Sequence, residues 1–424
     1  MELDGDRARE FLERWRSYDW SAEASSERLS TCDRAALESA HGHYLAAQGR
    51  TAGSDVELLR RLGVTMDAQN DPQLNRAGAV LLCRYETDVE RLDVRVLDVE
   101  GAASARREIL KAPVITAFDT AWKVIDQAFP SHPVIIGAQR RAERPIPERA
   151  LREALVNAIM HRDYRMPRAS IIAMALGRPA DTFKVLSPGD FPEGVDKDRL
   201  LATRSQPRNR ALAEAMRVLG LAEREGVGIG AMYRTMLRDG HGAPDIFPEG
   251  GDVVCRLPGG RVDPNVRGFF DDLVASDNRF GEDVRSHIAI TALLGRTPLR
   301  AEGLARAAQC SEDEAFEVLV RLAEAGAVER LLDGSRSFRL TKKSRAALQA
   351  RITYRWRTAA DQQWDLIHAF LDVNEEIGRA DAATLLGVGE GRASGILSQL
   401  YNERSVIEPV GAARGRGVRY KLAK

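Results

Sequence analysis

The segment from Pro147 to Tyr164 restricts the fold of this chain more than any other part of the sequence. It has the apolar periodicity of an amphipathic helix, and Pro147 in the first turn lacks an N–H that would have no partner there. Glu153, Asn157 and His161 follow one another at intervals of four residues and therefore share one face. The opposite, apolar face consists of Leu151, Leu155, Ala158 and Ile159. We therefore predict a helix whose apolar face packs on a core and whose polar face lies on the opposite side.

A carboxylate one helical turn before a carboxamide suits a site for a metal-bound nucleotide. Mg²⁺ prefers oxygen ligands, so the amide oxygen of Asn157 is a candidate metal ligand. The carboxylate of Glu153 can orient or deprotonate water, so it is the candidate catalytic group. Polar helix faces are more often simply solvated, and His161 is better explained as a structural residue at the helix end. Asp163 can cap or pair with Arg162 instead of binding a cofactor.

Two later segments place glycine where the backbone can approach a polyphosphate. Residues 183–192 predict a strand that ends in a turn at Gly189. Residues 223–232 have glycine at alternate positions before a helical pattern: Gly226, Gly228 and Gly230. Glycine permits close approach, and the N–H groups at a helix start favour anions. One glycine-rich turn is a weak signal. A carboxylate–amide helix, then a turn, then a glycine-rich helix start, in that order, predicts a nucleotide site.

The order of these three segments resembles the Bergerat (GHKL) ATP-binding fold, which has an N box followed by two glycine boxes. The closer resemblance is to its divergent version in bacterial RecG-like, Schlafen AlbA-type transcriptional regulators. Residues 152–164 match that family's N box, residues 187–192 its first glycine box and residues 208–230 its third motif. The resemblance is clear over residues 140–260 and weaker over residues 25–140.

The resemblance implies that ATP and Mg²⁺ are cofactors, with Glu153 as the catalytic residue and Asn157 as the metal ligand. The nucleotide contacts that it implies are Asn157, Asp163, Gly189, Arg208, Gly226, Gly228 and Gly230. Ser187 stands where Bergerat ATPases have the aspartate that recognises adenine. Slow hydrolysis and binding without turnover are both compatible with these residues. The sequence contains no P-loop pattern, so it gives no support for a P-loop helicase.

The last third of the chain repeats one pattern, three helices followed by a hairpin. The first copy has a capping box at Ser311 and an Asp-Gly turn at Asp333. Each copy predicts a winged helix-turn-helix domain, so the predicted fold class is α+β, a Bergerat-like α/β sandwich domain followed by two winged helix-turn-helix domains. Ahead of the N box we predict a strand pair at residues 77–84 and 92–97, and one long helix over residues 105–128. The predicted domains are an α/β region (1–104), the Bergerat-like domain (105–260), a linker (261–283) and winged helix domains (284–357 and 358–424).

The distribution of charge in the two predicted winged helix domains separates regions expected to contact protein from regions expected to contact DNA. The third helix of the first copy carries several carboxylates, which repel phosphate, so we expect it to contact protein. Residues 334–360 instead contain cations and no acidic residue. The third helix of the second copy has side chains that can meet base edges, and its wing has arginines among glycines. The candidate DNA contacts are Arg336, Arg339, Lys342, Lys343, Arg392, Ser394, Gln399, Arg414, Arg416 and Arg419.

Composition limits the cellular setting. The 62 basic and 62 acidic residues cancel, so the molecule as a whole has no general attraction for nucleic acid. The four cysteines are far apart without paired spacing, which argues against a zinc site and a disulfide framework. The charged first residues, without a signal peptide or apolar span, fit a cytoplasmic protein.

These features predict a cytoplasmic, homodimeric regulator in which nucleotide binding controls the binding of double-stranded DNA by the winged helices. Two alternatives remain open. The chain is an ATPase of a defence or DNA-processing assembly whose winged helices dock proteins, or it is a scaffold that binds no nucleotide.

Overall fold

The computed structural model divides the chain into two compact units. The first comprises residues 1–134, 142–236 and 241–262, and the second comprises residues 135–141, 237–240 and 263–424. The residues that the structure describes are 18–84, 90–97, 104–111, 113–136, 139–176, 181–191, 195–196, 199–202, 207–222, 228–295, 298–331, 336–348, 359–371, 374–402, 406–410 and 418–423.

Helices and strands are interspersed between residues 24 and 258. The strands are β1 (Ala24–Arg28), β2 (Gln73–Asn75), β3 (Leu92–Leu97), β4 (Ser104–Leu110), β5 (His132–Ile136), β6 (Gln139–Glu143), β7 (Ser170–Ala175), β8 (Thr182–Pro188), β9 (Asp245–Glu249) and β10 (Asp252–Pro258). The helices are α1 (Arg34–Gln48), α2 (Asp55–Arg61), α3 (Arg76–Leu82), α4 (Val114–Ala128), α5 (Glu148–Met160), α6 (Arg210–Val218) and α7 (Gly228–Arg238).

A mixed six-stranded sheet forms the frame of the first unit, in the order β4-β3-β7-β8-β10-β9. β3 and β7 run parallel, and the other neighbouring strands are antiparallel. The helix α5 packs across β7, β8 and β10, and its Leu151 and Leu155 lie in one core with Phe183 and Val185 of β8. The α+β class predicted from the sequence is confirmed for this unit, and the N box pattern is a helix with the predicted apolar face buried.

Two predictions ahead of the N box were wrong. The apolar run at residues 77–84 is mainly the helix α3, whose N-cap residue Asn75 accepts a hydrogen bond from the N–H of Gly78 at 2.9 Å. A short apolar run that is buried on every side has no periodicity to separate helix from strand. Residues 105–128 are not one helix either, because β4 ends at Leu110 and α4 begins at Val114, after Pro113. Pairing with β3 supplies the backbone partners of β4, and the local sequence does not reveal that pairing.

The second unit contains two sets of three helices with short strands. Its helices are α8 (Pro264–Ser276), α9 (Arg279–Glu282), α10 (Val284–Leu293), α11 (Ala301–Ala308), α12 (Glu312–Glu324), α13 (Lys342–Ala347), α14 (Ala359–Leu371), α15 (Arg379–Leu386) and α16 (Glu390–Asn402). Its strands are β11 (Val328–Arg330), β12 (Phe338–Leu340), β13 (Ile377–Gly378), β14 (Ile407–Pro409) and β15 (Arg419–Leu422). β11 pairs with β12, and β15 lies between β13 and β14.

Local sequence explains the start of α12, which has the predicted capping box. The Ser311 hydroxyl accepts a hydrogen bond from the N–H of Glu314 at 3.3 Å, and the Glu314 carboxylate accepts one from the N–H of Ser311 at 3.0 Å. The predicted Asp333 turn lies outside the described residues. In the part of the chain that the structure describes, no helix has both the length and the apolar character needed to cross a membrane.

Candidate functional site

Glu153 and Asn157 form a hydrogen-bonded pair on the polar face of α5. The amide Nδ2 of Asn157 donates to Oε1 of Glu153 at 2.9 Å. The Glu153 side chain is largely buried and that of Asn157 is half-buried. Because the amide nitrogen of Asn157 faces Glu153, the amide oxygen Oδ1 is the atom directed elsewhere. The pair therefore combines an oxygen suited to a hard cation with a carboxylate suited to positioning water.

The helix α7 begins at Gly228, directly against Glu153. A Cβ atom at residue 228 would lie 3.0 Å from Oε2 of Glu153 and closer still to Oε1 and Cδ, so any larger residue must displace the carboxylate. At Gly230 the nearest atom to such a Cβ is Nη1 of Arg234 at 3.6 Å, an ordinary contact. Close approach therefore requires glycine at position 228 and does not require it at position 230. Gly226 lies outside the described residues.

The loop after α5 meets the turn after β8 at Asp163. The N–H of Asp163 donates to the carbonyl oxygen of Pro188 at 2.7 Å. Gly189 has a φ of +109°, and a Cβ there would lie 2.9 Å from Cβ of Asp163. Arg165 donates to the Asp163 carboxylate through Nε at 2.9 Å and Nη2 at 2.7 Å, and this pairing holds the pKa of Asp163 below its usual value. Asp163 is thus ionised and paired with Arg165, not with its neighbour Arg162 as one interpretation of the sequence had it.

Arg208 joins the end of α5 to the turn after β8. Its Nε donates to the carbonyl oxygen of His161 at 3.1 Å, and its Nη2 donates to that of Asp190 at 2.5 Å. Nη1 lies 3.8 Å from Oδ2 of Asp163. Burial and the nearby Arg208 charge lower the pKa of His161 to about 4, so the imidazole is neutral at pH 7. Arg208 therefore holds two segments of the site in place, and His161 fits the structural role expected for it.

Asn209 is a site residue to which the sequence interpretation gave no role of its own. Its side chain is 1% exposed, and Nδ2 donates to the carbonyl oxygens of Met160 at 2.9 Å and Arg162 at 2.8 Å. These carbonyls belong to the last turn of α5 and the residues after it, where helices leave acceptors unpaired. The sequence feature that could have identified Asn209 is its position beside Arg208, directly before α6. Asn209 therefore fixes the end of the helix that carries Glu153.

A stacked column of side chains supports the same loop. The rings of Trp20 and Tyr164 are 5.5 Å apart and nearly parallel. The guanidinium of Arg76 lies over Trp20 at 5.1 Å, and that of Arg162 lies over Tyr164 at 5.0 Å. Cation–π contacts strengthen when they are desolvated. The column therefore ties the loop after α5 to the first helical turn of the described chain.

Ser187 serves the backbone of α5. Its buried hydroxyl donates to the carbonyl oxygen of Ala158 at 2.9 Å, which links β8 to the helix. In this position the side chain stabilises the sheet–helix contact.

We expect Ser187→Ala to lower the free energy of unfolding by about 1 kcal/mol, because a buried hydrogen bond is lost. Nucleotide affinity should stay unchanged. Urea unfolding and calorimetry measure the two quantities, with the exposed Ser394→Ala as the control. A loss of nucleotide affinity at unchanged stability would instead assign Ser187 to the ligand.

Seven of the ten candidate DNA contacts have exposed side chains in the second unit. They are Arg336, Lys342, Lys343, Arg419, Arg392, Ser394 and Gln399. The last three share the helix α16, and Lys342 and Lys343 open α13. Arg414 and Arg416 lie outside the described residues.

Two of the candidate cations, Arg339 and Arg419, also make contacts within the chain. Arg339 donates through Nε to Glu329 at 2.7 Å and through Nη1 to the carbonyl oxygens of Thr384 and Leu385, at the C-terminal end of α15. A cation at a helix C-terminus is favoured by the unpaired carbonyls there. Arg419 pairs with Glu376 at 3.0 Å and Asp381 at 3.2 Å. Sequence reasoning missed these partners because they are distant along the chain.

Comparisons with known proteins support the presence of an ATPase-like domain in the first unit. Residues 178–257, which include β8, Arg208, α7 and β10, match the family described as "Putative ATP-dependent DNA helicase recG C-terminal". The crystal structure of the DIP2311 protein from Corynebacterium diphtheriae is similar with a TM-score of 0.68 and 27% identity, over 80% of this chain and 68% of that one. A comparison with curated proteins found no match. The first unit thus contains an ATPase-like domain related to the RecG C-terminal region.

Proposed function

We propose that the chain is a RecG-like, Schlafen AlbA-type regulator that binds a nucleotide with Mg²⁺ through its first unit. The observation that carries the proposal is the Glu153–Asn157 pair, closed against Gly228 at the start of α7. A helix N-terminus beside a carboxylate–amide pair offers N–H donors to phosphate and an oxygen to the metal. The family match over residues 178–257 supports the same assignment.

The residues present fit Mg²⁺ with a nucleotide. Among the described residues, no group of three His, Cys, Asp or Glu side chains is arranged to hold a metal ion. Mg²⁺ commonly takes one or two protein oxygens and completes its shell with phosphates and water, so Asn157 is sufficient as a protein ligand. When bound, the ion neutralises phosphate charge. Glu153 orients water near the phosphates. Arg208 holds Asp163 and Gly189 in position.

Asn157→Ala tests this site. We expect Mg²⁺-dependent binding of ATP and ADP to fall by at least about tenfold, because the variant removes the metal-facing oxygen and the hydrogen bond that orients Glu153. Isothermal titration calorimetry with and without Mg²⁺ measures the affinity for each nucleotide. Asn374→Ala, which removes an amide from the second unit, is the matched control. Wild-type protein that binds neither nucleotide would favour the scaffold alternative.

The second half of the proposal couples the nucleotide to DNA. Three helices with a short hairpin, present twice in the second unit, suit winged helix-turn-helix domains. The exposed Arg392, Ser394 and Gln399 on α16 suit base edges and phosphates, and Arg414 and Arg416 suit a minor groove. We propose that a cytoplasmic homodimer binds a palindromic duplex site and that nucleotide changes its affinity for that site.

Replacement of Arg392, Arg414 and Arg416 by alanine tests DNA binding. If each cation contacts one phosphate, the slope of log affinity against log salt should fall by about three. Fluorescence anisotropy of a labelled duplex at several salt concentrations measures it. Arg306→Ala, which removes an exposed arginine paired with Glu302, should leave the slope unchanged. An unchanged slope in the triple variant would exclude these residues as phosphate contacts.

One observation favours a second function, an ATPase of a defence or DNA-processing assembly that docks a protein. The helix α12 presents Glu312, Asp313 and Glu317 to solvent, and carboxylates repel DNA. Arg339 and Arg419, in addition, are engaged within the chain. Steady-state ATP hydrolysis that Glu153→Ala abolishes, together with no DNA binding by the wild type, would support this alternative.

A further inference from the structure

The structure brings together two cysteines that are 51 residues apart and that the sequence placed in no pair. The Sγ atoms of Cys32 and Cys83 lie 3.1 Å apart. The two residues form an isolated antiparallel β-bridge between the chain before α1 and the chain after α3. The four cysteines are free in the structure, and the proximity of this pair is not visible in the sequence spacing because the packing of α1 and α3 sets it.

The bridge has the backbone geometry that a disulfide requires. The N–H of Asp33 donates to the carbonyl oxygen of Leu82 at 2.9 Å, so Cys32 and Cys83 are a non-hydrogen-bonded pair whose side chains face each other. Such pairs have Cα atoms about 4.5 Å apart, within the range of about 4.4–6.8 Å found for disulfides. A bridge of this type is therefore compatible with a disulfide bond.

The two thiols differ in exposure. Cys83 is 2% exposed, and its pKa is raised by the hydrogen bond with Cys32 and by burial. Cys32 is partly exposed and is the thiol that a reagent in solution meets first. The pair thus has an accessible member and a buried one that can resolve an adduct.

The other two cysteines lack this arrangement. Burial raises the pKa of Cys255 to about 12, and its Sγ lies 3.9 Å from Sδ of Met232. Burial also raises the pKa of Cys310.

We propose that Cys32 and Cys83 form a reversible intramolecular disulfide by exchange with an oxidised low-molecular-weight thiol. The Cys32 thiolate attacks one sulfur of the small disulfide, a mixed disulfide forms, and one small thiolate leaves. The Cys83 thiolate then attacks the Cys32 sulfur and expels the second small thiolate. The protein loses two electrons and two protons, and the small disulfide gains them as two thiols.

The crosslink joins two helices of the first unit. Asp33, next to Cys32, is the N-cap of α1 and accepts hydrogen bonds from the N–H of Ala36 at 3.1 Å and from Nε of Arg84 at 2.9 Å. Cys83 is the C-cap residue of α3. A covalent link across so long a loop restricts the unfolded chain, so oxidation should raise the unfolding temperature by on the order of 5–10 °C. The proposal does not depend on nucleotide binding.

The test uses the full-length protein, reduced, desalted and then incubated with glutathione disulfide. Remaining thiols are blocked with N-ethylmaleimide after the protein is unfolded in urea, and mass spectrometry counts the blocked thiols and maps the crosslinked peptide. We expect two of the four cysteines to escape blocking, a Cys32–Cys83 peptide, reversal by dithiothreitol and the rise in unfolding temperature. The double variant Cys255→Ser/Cys310→Ser should behave like the wild type.

Cys83→Ser separates the two chemical steps, because it should retain glutathione on Cys32. Wild-type protein with four blocked cysteines, a stable glutathione adduct or only intermolecular dimers would overturn the proposal. These wild-type readouts decide the matter even if a variant fails to fold.

Discussion

We expect Gly228→Ala to lower the proposed nucleotide affinity by about 100-fold or more and Gly230→Ala to leave it unchanged. A methyl group at residue 228 overlaps the carboxylate of Glu153, which is buried and bonded to Asn157, so the pair must separate. Loss of that bond and displacement of a buried carboxylate should also lower the free energy of unfolding by about 1–3 kcal/mol. Calorimetry measures the affinity, and urea unfolding measures the stability.

The matched variant Gly230→Ala should change the free energy of unfolding in the opposite direction. Gly230 lies in the first turn of α7 with its nearest neighbour, Arg234, at an ordinary distance. Alanine there should raise the free energy of unfolding by about 0.5–1 kcal/mol, because glycine loses more backbone entropy in a helix. Equal behaviour of the two variants would contradict the close approach of α7 to Glu153, independently of whether a nucleotide binds.

Asn209→Ala destabilises the first unit by about 2–4 kcal/mol. The variant leaves the carbonyl oxygens of Met160 and Arg162 without their amide donor in a buried place. Asn209→Asp should be no better, because carboxylate oxygens would face those carbonyls. Urea unfolding measures both variants, and hydrogen exchange at the end of α5 localises the effect.

Asn374→Ala is the control for the size of this effect. The side chain of Asn374 donates a hydrogen bond through Nδ2 to the carbonyl oxygen of Phe370 at 3.0 Å, from a half-buried position. We expect a cost of about 0.5–1 kcal/mol there. If Asn209→Ala costs no more than this control, Asn209 does not secure the end of α5.

Much of the first unit was predictable because its signals are local. The period of four residues placed Glu153 and Asn157 on one face, and the apolar stripe placed Leu151 and Leu155 in the core. Glycine at Gly228 was recognisable as a close approach, although its partner was not. The capping box of α12 was likewise visible, since a cap involves residues three positions apart.

The errors arose where the deciding partner is remote in sequence. β4 is a strand because β3 supplies its hydrogen bonds, and α3 is a helix surrounded by other elements. For Arg339 the sequence predicts a DNA contact, which stays a prediction, and it does not reveal the partners Glu329 and the end of α15. An arginine looks the same in a sequence whether a carboxylate or solvent faces it.

The sequence by itself determined which residue types and spacings are available: a carboxylate–amide pair on one helix face, glycines at the start of α7 and polar residues at helix starts. Side-chain periodicity and backbone freedom are properties of neighbouring residues, so they can be derived without a fold. Only the tertiary structure decided that Gly228 meets Glu153, that Asn209 holds the end of α5 and that Cys32 meets Cys83. Those contacts depend on how helices and strands pack, and packing is set by the whole core at once.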